Sequence, residues 1–347
     1  MASLSTLRIN SYFFMSMMGL IFGLFIVGVL LLLGVPWPLN IYIALILTIF
    51  FVLIQIAVSN AVVRWSTKTK LLRPGENPFL EETVERLAKK AEIPKPQLGI
   101  VESSTPNAFV FGLSQAGSTL VVHRGLLEQL NKSEIEAVIG HELGHIKNRD
   151  CMYMTILSFI PLISYMGMYL MYFGRGGGRS KEGGVLVIIG LISMLVYYIT
   201  SLLIKKVSRI REFYADAYSG YITKDPHALS SALTKITYGL SLAPPDTKKS
   251  DAARSFYIGD VQNAHHEMEV ISRNASKYDL DGDGVIDEHE LEVAMADEAQ
   301  MSAWNRWGSL FHTHPPTFKR ILALKEMEKE MDQGQITEEN IYEKVEF

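Results

Sequence analysis

His141 and His145 stand four residues apart with Glu142 beside the first, the spacing with which one helix face aims two imidazoles at a single metal ion. At 3.6 residues per turn the rings project about 40° apart. The carboxylate between them is then placed to handle the proton of a water rather than to bind the ion. The same residues on a surface helix would be two solvated histidines, but the flanks argue for burial. Asn131 and Ser133 are candidate N-caps, Glu134 and Glu136 follow each by three residues as a capping box requires, and Ile135, Val138 and Ile139 form an apolar stripe.

A catalytic zinc usually takes three protein ligands and leaves a fourth position for water, so two histidines are one short. Glu212 and Asp216 lie four apart in the segment Ser208 to Ala217 and share a helical face. One can bind the metal while the other steadies a ligand from behind. Cys151 is the only cysteine, which excludes an internal disulfide, and it suits a small residue entering an apolar helix better than a ligand.

A second metal pattern fills Asp279 to Glu290. Asp279, Asp281, Asp283, Asp287 and Glu290 occupy positions 1, 3, 5, 9 and 12 of an EF-hand loop, with Gly284 at the sharp turn, Val285 offering its carbonyl at position 7 and Ile286 apolar at position 8. Met268, Ile271, Ala275 and Tyr278 make one flanking stripe, and Leu291, Ala294 and Met295 another. Calcium is the expected ion, ordering residues from about 267 to 300 and through them affecting activity.

The elements that must position these groups are largely apolar. The chain has 347 residues, 48% of them hydrophobic, with a mean hydropathy of +0.15. Between Arg8 and Arg64 there is no Asp, Glu, Lys or Arg, and two apolar runs, about 13–35 and 41–58, flank Pro36-Trp37-Pro38. Two more uncharged runs cover about 151–174 and 183–204. Each is long enough to cross a bilayer, so the expectation is four transmembrane helices in two hairpins. The first run is too long in its apolar core for a signal peptide and reads as an uncleaved anchor.

Arg64, Lys68, Lys70 and Arg73 after the second run, and Lys205, Lys206, Arg209 and Arg211 after the fourth, place that side in the cytoplasm; Arg179 and Lys181 in the opposing loop weaken the bias without reversing it. Both termini then lie in the cytoplasm of a multi-pass cell-membrane protein. The lone cysteine agrees with that compartment. A formal charge of -4 and the absence of a basic motif argue against nucleic acid. His145 precedes the third run by six residues and Glu212 follows the fourth by eight, about 9 and 12 Å of helix, so both stand at similar height above one membrane face.

With these residues in view the chain resembles the HtpX-like membrane zinc metalloproteases, relatives of the CAAX prenyl proteases within the gluzincins. The resemblance runs from Thr105-Pro106-Asn107-Ala108-Phe109-Val110 through His141-Glu142-Leu143-Gly144-His145 and Arg211-Glu212-Phe213-Tyr214-Ala215-Asp216 to Thr313-His314-Pro315-Pro316, with Asp225 to Leu229 and Ala232-Leu233 also matching. It implies His141, His145 and Glu212 as zinc ligands, Glu142 as general base and then acid, and Asp216 as an orienter behind a ligand. His314 would stabilise the developing oxyanion. Asn107 to Val110 would form an edge strand, paired with Thr119 to Val122 across Ser114 to Gly117, whose Asn107, Ala108 and Phe109 hold substrate backbone. The EF-hand-like loop departs from the family pattern and reads as an insertion.

The expected fold is α+β and mainly helical, a zincin-like cytoplasmic domain with a small sheet on four transmembrane helices. Residues 1–63 and 151–204 form the membrane hairpins, and 64–150 and 205–347 the two parts of the protease domain. The expected activity is zinc-dependent hydrolysis of membrane or membrane-proximal proteins at the cytoplasmic face, in protein quality control as the resemblance implies. The bilayer and protein substrates are the partners; the pattern specifies no oligomeric state. A maturation protease for lipidated proteins is an alternative, and so is a non-catalytic calcium-binding membrane scaffold. The intact Glu142 speaks against the scaffold.

Overall fold

Apolar runs and capping residues shape a mainly helical chain with one small sheet. The computed structural model describes residues 4–169, 181–242, 258, 261–283, 286–301, 314–337 and 340–341. In chain order the elements are α1 (Leu4–Leu32), α2 (Leu39–Thr67), β1 (Lys70–Leu71), α3 (Pro78–Lys90), β2 (Gln97–Val101), β3 (Ala108–Phe111), β4 (Thr119–His123), α4 (Arg124–Gln129) and α5 (Lys132–Lys147). They continue with α6 (Asp150–Met168), α7 (Lys181–Thr223), α8 (Pro226–Ser241), α9 (Val261–Arg273), α10 (Ala275–Tyr278), α11 (Glu288–Met301) and α12 (Thr317–Asp332).

Two compact units divide the chain. Thr6–Ala61 and Met152–Val207 form the apolar one. Among the described residues two helices are long and apolar enough to cross a bilayer, Leu39–Thr67, with an 18-residue stretch of mean hydropathy 2.8, and Gly183–Thr223, with one of 2.4, while Ser16–Leu32 is a shorter apolar stretch. Met18, Phe22 and Ile26 of α1, Ala44 of α2 and Leu157 and Ile160 of α6 share a core. Leu45, Ile46, Ile49, Phe50 and Leu53 of α2 are exposed, so that helix is apolar on its outer surface too, as a lipid-facing helix is.

The helix ends differ from the expected spans. The first two helices extend beyond 13–35 and 41–58 at several ends because their polar flanks, such as Asn60 to Thr67, continue the same helices. The third is described to Met168, and the remainder of the expected 151–174 span lies outside the described residues. The fourth does not stop at 204. It continues unbroken to Thr223, since no proline interrupts Lys205 to Thr223, and the Arg211 to Asp216 segment rides on the same helix as the apolar run.

The second unit holds Val62–Cys151 and Ser208–Phe347, with Met1–Ser5. Its sheet runs β1-β2-β4-β3 and is mixed: β2 lies parallel to β4, and the other two pairs are antiparallel. β3 stands at the edge and pairs with β4 in the register Ala108↔Val122 to Phe111↔Thr119, across a turn in which Gly117 N–H donates to Ser114 O at 3.2 Å. The strand pairing thus follows the expected one.

Helix α5 begins at the capping box that the sequence offered. Glu134 N–H donates to Asn131 Oδ1 at 3.0 Å, and Asn131 N–H donates to Glu134 Oε2 at 2.8 Å. Such a cap contributes about 1 kcal/mol. Ser133 instead donates to Asn131 Oδ1, and Glu136 forms a two-bond pair with Arg86. Ile135, Val138, Ile139, Leu143 and Ile146 are all buried, each stabilising the unit by about 1.5–3 kcal/mol. The helix packs on α3, α8 and β3. A third group of buried side chains joins Ile271, Tyr278, Ala294 and Met295 to Phe318 and Ile321 of α12.

Candidate metal centre

The crossing of α5 and α7 brings the histidines to Glu212, and small residues make that crossing close. A methyl group added to Gly144 would lie 3.2 Å from the Ala215 backbone, and one added to Gly140 would lie 3.0 Å from Ser219 Oγ. Ser219 Oγ donates to Ala137 O at 2.5 Å, tying the two helices directly.

At this crossing His141 Nε2 and His145 Nε2 are 3.1 Å apart, and Glu212 approaches each at 3.6 Å, through Oε2 and Oε1 respectively. A tetrahedral ion with bonds near 2 Å sets its donors about 3.3 Å apart, so the three groups fit one such ion. Glu212 Oε2 is buried without a hydrogen-bond partner, a costly state for a carboxylate oxygen that a cation relieves. This cluster and Asp279-Asp281-Asp283 are the groupings of metal-binding side chains among the described residues.

Each imidazole is backed by a carboxylate, and each carboxylate by an arginine. Asp216 Oδ1 lies 2.9 Å from His141 Nδ1, off the line of a hydrogen bond, and Arg320 holds Asp216 through two bonds of 2.8 and 2.7 Å. Behind the other ring, Asp150 Oδ2 lies 2.8 Å from His145 Nδ1, and Arg211 pairs with the remaining Asp150 oxygen. Both Nδ1 atoms thus face carboxylates, leaving both Nε2 atoms for the ion. Asp216 is the expected orienter. Asp150 and Arg320 are not among the residues expected from the sequence, and Arg211, expected there as a charge marking the cytoplasmic side, is instead buried against Asp150.

Burial and charge compete at every titratable group here. Burial raises the Glu142 carboxyl from 4.5 to about 7, with the Glu212 charge adding to it. Burial would raise Glu212 as well, but the charges of His314, Arg320 and His145 outweigh it and hold the carboxyl below the usual range. Asp216 is likewise lowered, since Arg320 and His141 overcome its burial. His141 is lowered by burial, despite Asp216 beside it. His314 is buried too, its Nδ1 3.4 Å from Glu212 Oε2, and neither ring nitrogen has a hydrogen-bond partner.

Asn107, Ala108 and Phe109 are buried at and beside the edge strand. Phe109 packs with Val101, Phe111 and Val121, so its side chain is a core element. Asn107 Oδ1 accepts from the Ile258 N–H at 2.9 Å.

In the acidic loop, Asp279, Asp281 and Asp283 come together, with carboxylate oxygens within 4.8 Å of one another. Asp287 and Glu290, expected beside them as calcium ligands, are hydrogen-bonded to backbone of the same loop and of the helix that follows it. Glu290 N–H donates to Asp287 Oδ1 at 2.8 Å and Asp287 N–H to Glu290 Oε2 at 3.0 Å, a capping box at the start of α11. Glu290 Oε1 accepts from Leu280 N–H at 2.6 Å. Val285 lies outside the described residues.

The family model described as Peptidase family M48 matches residues 74–328. "Protease HtpX homolog 2" of Methanosarcina mazei is 38% identical over 229 residues, 65% of this chain and 78% of its own length. "Protease HtpX homolog" of Moorella thermoacetica is 39% identical over 237 residues, 66% of this chain and 79% of its own. The homologue of Aeropyrum pernix is 30% identical over 320 residues, 88% and 95%. Among solved structures, that of S. mikatae Ste24p is 18% identical with a TM-score of 0.49, over 92% of this chain and 67% of that one. Matched in sequence across the metal centre and both helices that build it, the chain belongs to peptidase family M48 and is an HtpX-like membrane metalloendopeptidase.

Proposed function

We propose that this protein is a four-span, zinc-dependent endopeptidase that cuts membrane or membrane-proximal proteins at the cytoplasmic face, in protein quality control. The observation that carries the reading is the convergence of His141 Nε2, His145 Nε2 and Glu212 Oε2, a buried oxygen without a hydrogen bond, beside a buried Glu142. Zinc supplies Lewis acidity at such a site, polarising a peptide carbonyl and lowering the pKa of water to roughly 7.

The chain's own groups do the rest. Glu142 takes the proton of the attacking water and returns it to the leaving amine; a carboxyl raised to about 7 is poised for both directions at neutral pH. His314, buried against Glu212, donates to the oxyanion as it forms. Asp216 and Asp150 keep both histidines aimed, and Asn107, Ala108 and Phe109 supply the edge along which substrate backbone lies extended. The charge bias after the second and fourth apolar runs supports the cytoplasmic orientation.

Detergent-purified protein, with its zinc quantified, is tested on casein and on a membrane protein beside Glu142→Ala. Cleavage by the parent alone is expected. Bound zinc with equal cleavage by both would refute the assignment of the base.

A calcium role for the 279–290 loop is the second part of the proposal, supported by the grouping of Asp279, Asp281 and Asp283. Binding would require Glu290 to exchange its backbone partners for the ion. Calorimetry on the parent and on Glu290→Gln tests it, and a parent that gives no calcium heat ends it.

A further inference from the structure

Arg320 does more than hold Asp216. Its third contact, from NH1, donates at 2.7 Å to the backbone oxygen of Ile258, and the same nitrogen lies 3.5 Å from Glu212 Oε2. The N–H of Ile258 is taken by Asn107 Oδ1 at 2.9 Å. One residue therefore spends both backbone groups on the centre, its donor on the head of the edge strand and its acceptor on a guanidinium beside a predicted metal ligand. Asn107, Ile258 and Arg320 are all buried, at 1%, 3% and 1% exposure, so the contacts are shielded from water and cannot be exchanged for it.

Buried hydrogen-bonding groups require partners, and a side-chain amide and a guanidinium that grip the N–H and C=O of one residue of this chain offer the same acceptor and donor to those of any other. An extended substrate beside β3 would meet that pair. Substrate and Ile258 cannot both occupy it.

The geometry points to Ile258 as an intramolecular pseudo-substrate: its peptide groups fill the backbone-gripping pair Asn107 and Arg320, and a protein substrate must displace them to enter. The inference rests on the peptidase reading of the centre. It makes the resting enzyme self-restrained, with restraint set by hydrogen bonds at one residue rather than by loss of the metal site. Restraint by competition raises the apparent KM and leaves kcat unchanged, which separates it from a defect in chemistry.

The test uses zinc-loaded, full-length protein in detergent. Amide exchange at Ile258 is followed by mass spectrometry with and without a phosphinic peptide that fills the centre. Exchange there should quicken at least tenfold when the inhibitor binds. In parallel, Ile258→Pro lacks the N–H that Asn107 accepts and should cleave an extended fluorogenic peptide with a KM lower by about five-fold at unchanged kcat, the worth of one such hydrogen bond. Exchange that stays unchanged or slows on inhibitor binding makes Ile258 fixed scaffold and overturns the proposal, whether or not Ile258→Pro folds. An unchanged KM in a folded Ile258→Pro overturns it equally. Wild-type protein that neither cleaves the peptide nor binds the inhibitor sinks the peptidase reading and this proposal with it.

Discussion

His145 depends on Asp150 as much as on its own position. The Asp150 carboxylate fixes the ring through Nδ1 and is itself fixed by Arg211. Asp150→Asn keeps the shape and loses the charge, and zinc affinity should fall by about 10- to 100-fold, read by competition with a chelator. Glu142→Gln should retain zinc and lose about 10²- to 10⁴-fold in kcat. It also has a signature in stability. Because burial raises the folded carboxyl from 4.5 to about 7, the neutral form is the favoured one. In metal-free protein its contribution is complete below about pH 4.5 and is lost as the pH rises through about 7. The unfolding midpoint of the parent relative to Glu142→Gln should therefore decline across that window. A constant difference would contradict the assigned burial. At this scale the histidine pair was legible because four residues is a helical period. Asp150 and Arg211, 61 positions apart, and Asp216 and Arg320, 104 apart, meet only through the tertiary fold, and no local spacing announces them.

Helix α7 was read as a membrane span followed by a separate ligand segment, yet it is one helix from Lys181 to Thr223. Hydropathy marks where apolar residues end, whereas a helix ends where its backbone is capped or broken, and nothing does either at Ile204. The sheet edge was legible because two short apolar runs, Ala108 to Phe111 and Leu120 to Val122, flank a Ser-Gln-Ala-Gly turn that brings them together as a hairpin. Asp287 and Glu290 fit two patterns at once: the three-residue spacing that serves a calcium loop also serves a capping box, and these side chains form the box. The close crossing of α5 and α7 yields its own prediction. Gly144→Ala places a methyl 3.2 Å from the Ala215 backbone, which must yield by a few tenths of an ångström and carry Glu212 with it. Zinc content and activity should both drop while far-ultraviolet circular dichroism stays helical. Full zinc occupancy in a folded Gly144→Ala would show that the crossing tolerates the shift.

For the whole molecule the metal is a ligand of the folded state. Zinc at about 100 times its Kd should add about 2.7 kcal/mol to stability, so chelation should lower the unfolding midpoint and abolish cleavage, and zinc should restore both. A midpoint indifferent to chelator would separate the centre from the fold's stability.

The arginines behind the histidines also settle an account of charge. Asp150, Asp216, Glu212 and Glu142 are four buried carboxylates, and Arg211 and Arg320 are two buried guanidiniums. With the imidazoles neutral and Glu142 kept protonated by its burial, one negative charge remains unmatched in a water-poor interior. A cation beside Glu142 favours its ionised form, and the count then rises to two, which a divalent ion matches. The two arginines, which never touch the ion, thus limit how much positive charge it must bring.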